Sequence, residues 1–316
     1  MRVSAVIPCY NVAAYIGEAV DSAFRQTRPP DEVLVVDDCS TDGSADVARA
    51  HGARVVTTAS NSGEGAARNT GALAATGELI AWLDADDYWT DDHLATLVPL
   101  LERFPEAVLA FSRVRLFGTR EGVWPALLPE GEAVDAFAAS LRRCVLPHNA
   151  VVVRRAELLA AGGYHDTLRM AADYELWLRL SREHPFVCSH AVTCHWRHHG
   201  ENLSRNLLAY QKSEYETRWR LWQRVLQGEP LRPRQTPHSP EADRAALAAA
   251  LLAIWEEHLW VAWYSRDPRQ MRFHLSMRRL VPDSDAAYAR WRQRARLLPV
   301  ARAYDRLRSG VRMLRT

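Results

Sequence analysis

The chain is 316 residues long, with 48% hydrophobic and 25% charged residues and a net charge of +2. That length accommodates one large α/β domain with an accessory piece, or two ordinary domains, and so small a net charge does not suggest nucleic-acid binding by the whole surface. Lys212 is the only lysine, which excludes a phosphate-loop or Schiff-base lysine in the first two hundred residues.

From the N-terminus, short β-branched runs alternate with amphipathic segments. "RVSAVI" is followed by Tyr15, Ile16, Ala19, Val20, Ala23 and Phe24 at helical spacing, with Asn11 placed to cap the helix. "EVLVVDD" precedes a helix near Ala45–Ala50. "ARVVTT" precedes one through Ala66–Ala75, which Gly77 is expected to close. "LIAWLD" leads to a helix over His93–Arg103, with Asp91 and Asp92 as caps, and "AVLAFS" follows. Strands that are apolar throughout, each returning through a helix, predict a doubly wound, mostly parallel α/β sheet covered on both faces. Ligands of such sheets sit beyond the carboxyl ends of the strands. Asp37-Asp38 and Asp84-Ala85-Asp86-Asp87 both fall there.

Residues 113–147 are less regular and read as an excursion from the sheet. "NAVVVRR" then predicts a strand, Gly162-Gly163 the end of a helix, "DYELWLRLSRE" a further helix and "FVCSHAVTCHW" a strand. After Ser204 the pattern is helical: "AYQKSEYETRWRLWQRVL", a linker with Pro230, Pro233, Pro237 and Pro240, and an arginine- and tryptophan-rich tail. The expected division is a nucleotide-binding domain over 1–205 and a helical accessory region over 206–316. Trp219, Trp222, Trp255, Trp260, Trp263 and Trp291 are expected to form the core or an interface of that region.

Five cysteines without a C-x-x-C pair point to reduced thiols in a cytoplasm-like compartment. Pro8 and Asn11 interrupt the first apolar run, so no signal peptide is expected. "AALAAALLAIWEEHLWVAWY" comes nearest to a membrane span, but Glu256-Glu257-His258 break it. Nine arginines between Arg290 and Arg315 face only Asp305. Within that tail Tyr304, Leu307, Val311 and Leu314 recur at helical steps. It reads as a basic helix that lies on an anionic membrane surface or packs on the protein's own helices.

Three carboxylates within four residues at 84–87 cannot follow a buried strand without partners. A D-x-D pair at such an end suits a hard divalent cation shared with phosphates. "NSGEGAARNTG" contains a G-x-G-x-x-R run, but it follows the third strand and carries Arg68 where a dinucleotide fingerprint needs a small residue. It reads as a glycine turn holding backbone and Arg68 near a nucleotide. His195, His198 and His199 are close in sequence, but neighbouring strand residues face opposite ways, which disfavours zinc. Cys39 reads as packing.

Taken together and in order, "VSAVIPCYN", "VLVVDDCSTDGS", "NSGEGAARNTGA", "LDADDYW", "GGYHDTLRMAADYELWLRL" and "WRHHGENLS" resemble the signature of family 2 glycosyltransferases of the GT-A fold, over roughly residues 1–205. The resemblance implies an inverting enzyme that moves a sugar from a nucleotide-sugar, UDP-linked on family frequency, to an acceptor hydroxyl of a saccharide or lipid-linked saccharide. It implies that Pro8 and Tyr10 line the base pocket, that Asp38 bonds the base with Arg68 nearby, and that Asp84 lies by the ribose. It also implies that Asp86 and His199 hold Mn2+ or Mg2+ on the diphosphate and that Asp173 is the general base. The family's usual glutamate before that aspartate is replaced by Ala172. The other class open to these residues is a nucleotide-sugar-binding protein that performs no transfer.

Overall fold

The structure is a computed structural model that describes residues 1–165, 168, 170–200, 206–234, 239–299 and 301. The chain divides into two compact units, Met1–Arg205 and Asn206–Thr316. The helical stripe of Tyr304, Leu307, Val311 and Leu314 lies outside the described residues.

The first unit is built on one sheet. Its first strand, β1 (Val3–Cys9), is buried at every position and pairs in parallel with β2 (Glu32–Asp37) on one side and β4 (Leu79–Trp82) on the other. Beyond β2 lies β3 (Arg54–Thr57), also parallel. The order 3-2-1-4 is the doubly wound arrangement, because each strand returns through a helix. Those helices are α1 (Ile16–Phe24), α2 (Ser44–Ala50) and α3 (Glu64–Ala74). The close seat of α3 on the sheet explains Gly71: a Cβ there would lie 2.5 Å from Val6 Cγ1.

Past β4 the sheet ceases to be purely parallel. A two-residue strand β5 (Tyr88–Trp89) and helix α4 (His93–Arg103) lead to β6 (Leu109–Gly118). The segment after β6 forms the short strands β7 (Gly122–Val123) and β8 (Ala133–Val134) and helix α5 (Phe137–Arg142). Then β9 (Val151–Arg154) inserts antiparallel between β4 and β6. Helices α6 (Arg155–Ala160) and α7 (Ala172–Ser181) follow, and the long β10 (Phe186–His198) closes the path, parallel to β6 and antiparallel to β5. Apolar clusters cover both faces, one including Ile16, Leu94 and Trp89, the other Trp82, Leu176 and Trp177. That double cover is why the strands read as continuous apolar runs.

Three local expectations are corrected. Asn11 does not cap α1, whose N-cap is Tyr15. Asn11 instead adopts a left-handed φ of 51° and accepts a hydrogen bond from the Thr41 amide at 2.8 Å, tying the β1 and β2 ends together. Asp92 occupies the N-cap of α4 but makes no capping bond, because its carboxylate accepts from the Thr90 hydroxyl. Gly77 is not a helix C-cap: α3 ends at Ala74, and a Cβ at Gly77 would meet the Ser4 amide nitrogen at 2.7 Å. Close approach to β1, not helix termination, demands that glycine.

The second unit is helical: α8 (Leu207–Leu226), α9 (Pro240–Tyr264), α10 (Pro268–Ser276) and α11 (Asp285–Arg296). Side chains of Asn206, Ser239 and Asp267 cap the first three, and Pro240 and Pro268 open theirs, where a missing N–H costs nothing. Trp255 and Trp291 are fully buried among Tyr215, Leu259 and Met271, whereas Trp260 is exposed. By length and composition α9 is apolar enough to cross a membrane, and part of it is buried within the protein.

Candidate active site

The site gathers beyond the carboxyl ends of β1, β2 and β4. At the end of β1, Pro8 is buried opposite Val36, and Tyr10 stands just beyond the strand, 48% exposed. Among the described residues no ring stacks on Tyr10, so its face is open to a planar ligand.

The end of β2 carries Asp38, whose amide donates to the Cys9 carbonyl. Its carboxylate accepts from the Thr58 hydroxyl at 2.7 Å, from the Ser62 amide at 3.1 Å and from the Gly63 amide at 2.8 Å. Asp38 therefore shapes the glycine turn that starts α3. Cys39, at a φ of 64°, donates its thiol to the Thr58 carbonyl and has no other role visible here.

One turn into α3, Arg68 is 4% exposed. Its guanidinium donates to Glu64 and, at 2.9 Å, to Asp84 Oδ1, and it lies 5.5 Å from the Tyr164 ring centre. Arg68 Nε is buried without a hydrogen-bond partner. Burial of so polar a group is tolerated because Glu64 and Asp84 flank it.

The acidic segment after β4 is a tight turn, with the Asp87 amide donating to the Asp84 carbonyl at 3.1 Å. Burial pushes the Asp84 carboxyl up to about 7; Arg68 opposes the rise, while Glu64 and Asp86 add to it. Asp87 is fully buried, and burial together with Asp86 and Asp84 raises it well above the carboxylate range. Its oxygens accept from the Arg197 amide at 2.6 Å and from the Asn149 side-chain amide. Asp86 is half-buried and lies against the imidazole of His199, with Nε2 2.8 Å from Oδ2. The Tyr15 ring stacks on His199 at 5.3 Å.

The other two histidines of that run go elsewhere. His195 stacks on Tyr88 and shares a 2.9 Å hydrogen bond with its hydroxyl, and His198 packs against Trp196. Among the described residues no three His, Cys, Asp or Glu side chains form a closed metal cage. Asp86 and His199 supply one carboxylate and one imidazole, a donor set that fits a hard divalent cation completing its shell with phosphate oxygens and water.

Asp173 sits in the first turn of α7, after Ala171 in a left-handed conformation (φ 55°). Burial raises its pKa, while Arg68 and the Tyr174 amide pull it back. Glu175, next along this turn, is engaged: both its oxygens accept from Arg179, at 3.0 and 2.7 Å, and Arg179 also donates to the carbonyls of Ala161 and Gly163. That arrangement holds the Gly162-Gly163 turn, while the charge of Asp173 acts on Arg68.

Two residues carry weight that their sequence context did not announce. His148 and Asn149 form a short 3-10 turn before β9. His148 is buried between the Trp82 and Trp177 rings, each 5.6 Å away, with Nε2 2.8 Å from the Tyr164 hydroxyl and Nδ1 3.7 Å from Asp84 Oδ1. Burial, with Arg68 nearby, depresses its pKa well below the usual imidazole value. Because β9 runs antiparallel to β4, with Val151 opposite Trp82, the start of β9 lies beside the end of β4. The available signal was a polar His-Asn pair opening an apolar strand.

A doubly wound sheet with an aspartate-rich turn after β4, an arginine on the helix before it and a carboxylate on a later helix is the GT-A form of the glycosyltransferase fold. The chain aligns over 96% of its length with TarS of S. aureus, crystallised with UDP-GlcNAc, at TM-score 0.67 and 19% identity, covering 88% of that chain. It aligns over 68% of its length with glucosyl-3-phosphoglycerate synthase of Mycobacterium tuberculosis, crystallised with Mn2+ and UDP, at TM-score 0.51 and 20% identity, covering 77% of that chain. Residues 4–156 match the family described as Glycosyl transferase family 2, and the N-terminal unit is a glycosyltransferase domain of that family. Hyaluronan synthase of Pasteurella multocida is 30% identical over 220 residues, 67% of this chain but 22% of the synthase. An uncharacterized glycosyltransferase of Nostoc is 39% identical over 107 residues, 32% of this chain and 33% of that protein.

Proposed function

We propose that the N-terminal unit transfers a sugar from a nucleoside-diphosphate sugar, UDP-linked, to a hydroxyl of a saccharide or lipid-linked saccharide, with inversion, in the synthesis of a bacterial polysaccharide or glycoconjugate. The observation that carries this reading is the buried Arg68, whose charge acts on Asp84 on one side and on Asp173 on another. A single cation thus links the nucleotide end of the site to its base. The UDP-GlcNAc bound by TarS, the Mn2+ and UDP bound by glucosyl-3-phosphoglycerate synthase, and the synthase among the relatives support the choice of donor, metal and product class.

In this reading Tyr10 stacks on the base against Pro8, Asp38 bonds the base, and Asp84 and Arg68 hold the ribose side. Asp86 and His199 hold Mn2+ or Mg2+, which when bound offsets charge on the departing diphosphate. Asp173 takes the proton of the acceptor hydroxyl as that oxygen attacks the anomeric carbon from the face opposite the diphosphate. The bond from that carbon to the diphosphate oxygen breaks, its electron pair leaves with the nucleotide, and the configuration inverts. Arg68 opposes the rise in the Asp173 pKa that burial causes.

The test is transfer and donor hydrolysis across UDP-, GDP- and dTDP-sugars, with and without manganese. Turnover of one carrier class, dependent on the cation, is expected. No turnover and no binding of any carrier ends the reading. The same proposal places the arginine-rich residues 302–316 at an anionic membrane surface, near a lipid-linked acceptor. Co-sedimentation with anionic vesicles but not neutral ones, at low salt, is the expected result; equal recovery in both supernatants removes the membrane role.

A further inference from the structure

Among the groups around Asp84, His148 has a donor or acceptor left over. Its side chain is 5% exposed, and Nδ1 is buried with no hydrogen-bond partner. An orphaned polar atom at such depth costs free energy unless something meets it in the working state. The atom it faces is Asp84 Oδ1, 3.7 Å away, which is beyond hydrogen-bonding range by a few tenths of an ångström.

The tautomer follows from the other nitrogen. His148 Nε2 and the Tyr164 hydroxyl are 2.8 Å apart. If Nε2 carried the proton, the lone pair of Nδ1 would point at a carboxylate oxygen. If the tyrosine donates to Nε2, the proton sits on Nδ1 and points at that oxygen instead. The second arrangement is attractive and the first repulsive, so Tyr164 sets His148 as an Nδ1–H donor. The ring cannot turn away, because Trp82 and Trp177 flank it. Tyr164 is itself fixed by reciprocal bonds between its backbone and the Asn69 side chain, both 2.8 Å. Asn69 neighbours Arg68 on α3, so the helix that supplies one donor to Asp84 also anchors the other.

We propose that His148 is a positioning residue for Asp84: when the donor nucleotide binds, Asp84 Oδ1 moves onto His148 Nδ1–H, and the pair with Arg68 fixes the carboxylate against the nucleotide. This rests on the reading of Asp84 as a nucleotide contact. Asn149, the next residue, already donates its side-chain amide to Asp87, so the turn before β9 faces the acidic turn at two points.

The experiment measures the affinity of full-length wild type and variants for UDP, GDP and dTDP with manganese, by calorimetry, and KM against kcat for the matching donor. His148→Ala is expected to weaken binding of the preferred nucleotide about 10- to 100-fold, as loss of a hydrogen bond to a charged group does. KM for the donor should rise with kcat changed less. His148→Asn, whose side-chain amide can stand where Nδ1–H stood, should recover most of the loss. Tyr164→Phe, which only releases the tautomer, should cost about 3- to 10-fold. In Asp84→Asn, adding His148→Ala should cost nothing further, because the effect passes through that carboxylate. Wild-type affinity in folded His148→Ala, or no recovery in folded His148→Asn, overturns the inference while the nucleotide site stands. So do losses from Asp84→Asn and His148→Ala that multiply. If His148→Ala does not fold, Tyr164→Phe decides, and wild-type affinity there has the same force. Wild type that binds none of the three nucleotides overturns the donor reading and this inference with it.

Discussion

Two acidic clusters, a pair and a trio, stand at the ends of the strands that flank β1, and the fold treats them in opposite ways. Asp38, after β2, is met by a hydroxyl and two backbone amides, so the chain itself supplies every donor the carboxylate needs. Asp84, Asp86 and Asp87, after β4, crowd together, and burial with mutual repulsion raises Asp84 and Asp87. The first pair is a structural anion that organises a loop. The second is a crowd of carboxylates whose mutual repulsion persists beside Arg68 and His199. A cluster of mutually repelling carboxylates suits a cation, whereas a carboxylate ringed by backbone donors serves best as a fixed acceptor.

The widest break between the two comes at Asp86. Asp86→Ala should abolish transfer and the manganese-dependent part of nucleotide affinity. Because it removes a charge from a crowded cluster, stability should change by less than about 1 kcal/mol. Manganese alone should shift the melting temperature little, since two proposed ligands, Asp86 and His199, hold a cation weakly without phosphate oxygens; manganese with nucleotide should shift it several degrees. Activity that survives both EDTA and this substitution sinks the metal assignment.

Asp173 comes next. Asp173→Asn keeps the shape and removes the proton acceptor, so nucleotide binding should persist while transfer falls by about 10². In the wild type, kcat/KM should decline on the acid side, tenfold per pH unit, below a pKa above the ordinary carboxylate value. Its sign follows from the base working only when deprotonated and burial favouring the protonated form. Near-normal transfer by the variant would move the base, and the commitment of Glu175 to Arg179 makes that residue a poor heir.

Local patterning made most of the first unit legible. The helix over His93–Arg103 and the strands at Val3–Cys9 and Leu79–Trp82 follow from apolar periodicity, and so does the placing of two acidic segments at strand ends. What escaped depends on pairing, which periodicity does not carry. An apolar run such as Val151–Arg154 does not state its direction, and its antiparallel seat alone brings His148 and Asn149 to the acidic turn. Asn11 and Gly77 had the right composition for caps, but neighbours distant in sequence claimed them: the β2 loop for one, β1 for the other. Glu175 and Arg179 stand four residues apart on α7, a spacing that permits their ion pair, but the Gly162-Gly163 turn that Arg179 holds lies on a separate segment.

The smallest effect in transfer, and the sharpest contrast with Asp86, is expected at Asp38. Asp38→Asn leaves the side chain's size unchanged but replaces one acceptor oxygen with a donating NH2. The amides of Ser62 and Gly63 and the hydroxyl of Thr58 all point donors at this carboxylate. The variant can satisfy some of them through its remaining oxygen, and the others face a like donor. A buried donor left unmet costs about 1–3 kcal/mol, which for a unit of this size lowers the melting temperature by about 2–4 °C per kcal/mol. Loosening the turn before α3 also relaxes Arg68, so nucleotide affinity should fall by about tenfold while the manganese dependence is retained. Asp86→Ala is expected to give the reverse: stability kept, metal dependence gone. A variant at Asp38 as stable as wild type would mean that the turn holds without its carboxylate, and that the two acidic clusters differ less than their hydrogen bonds imply.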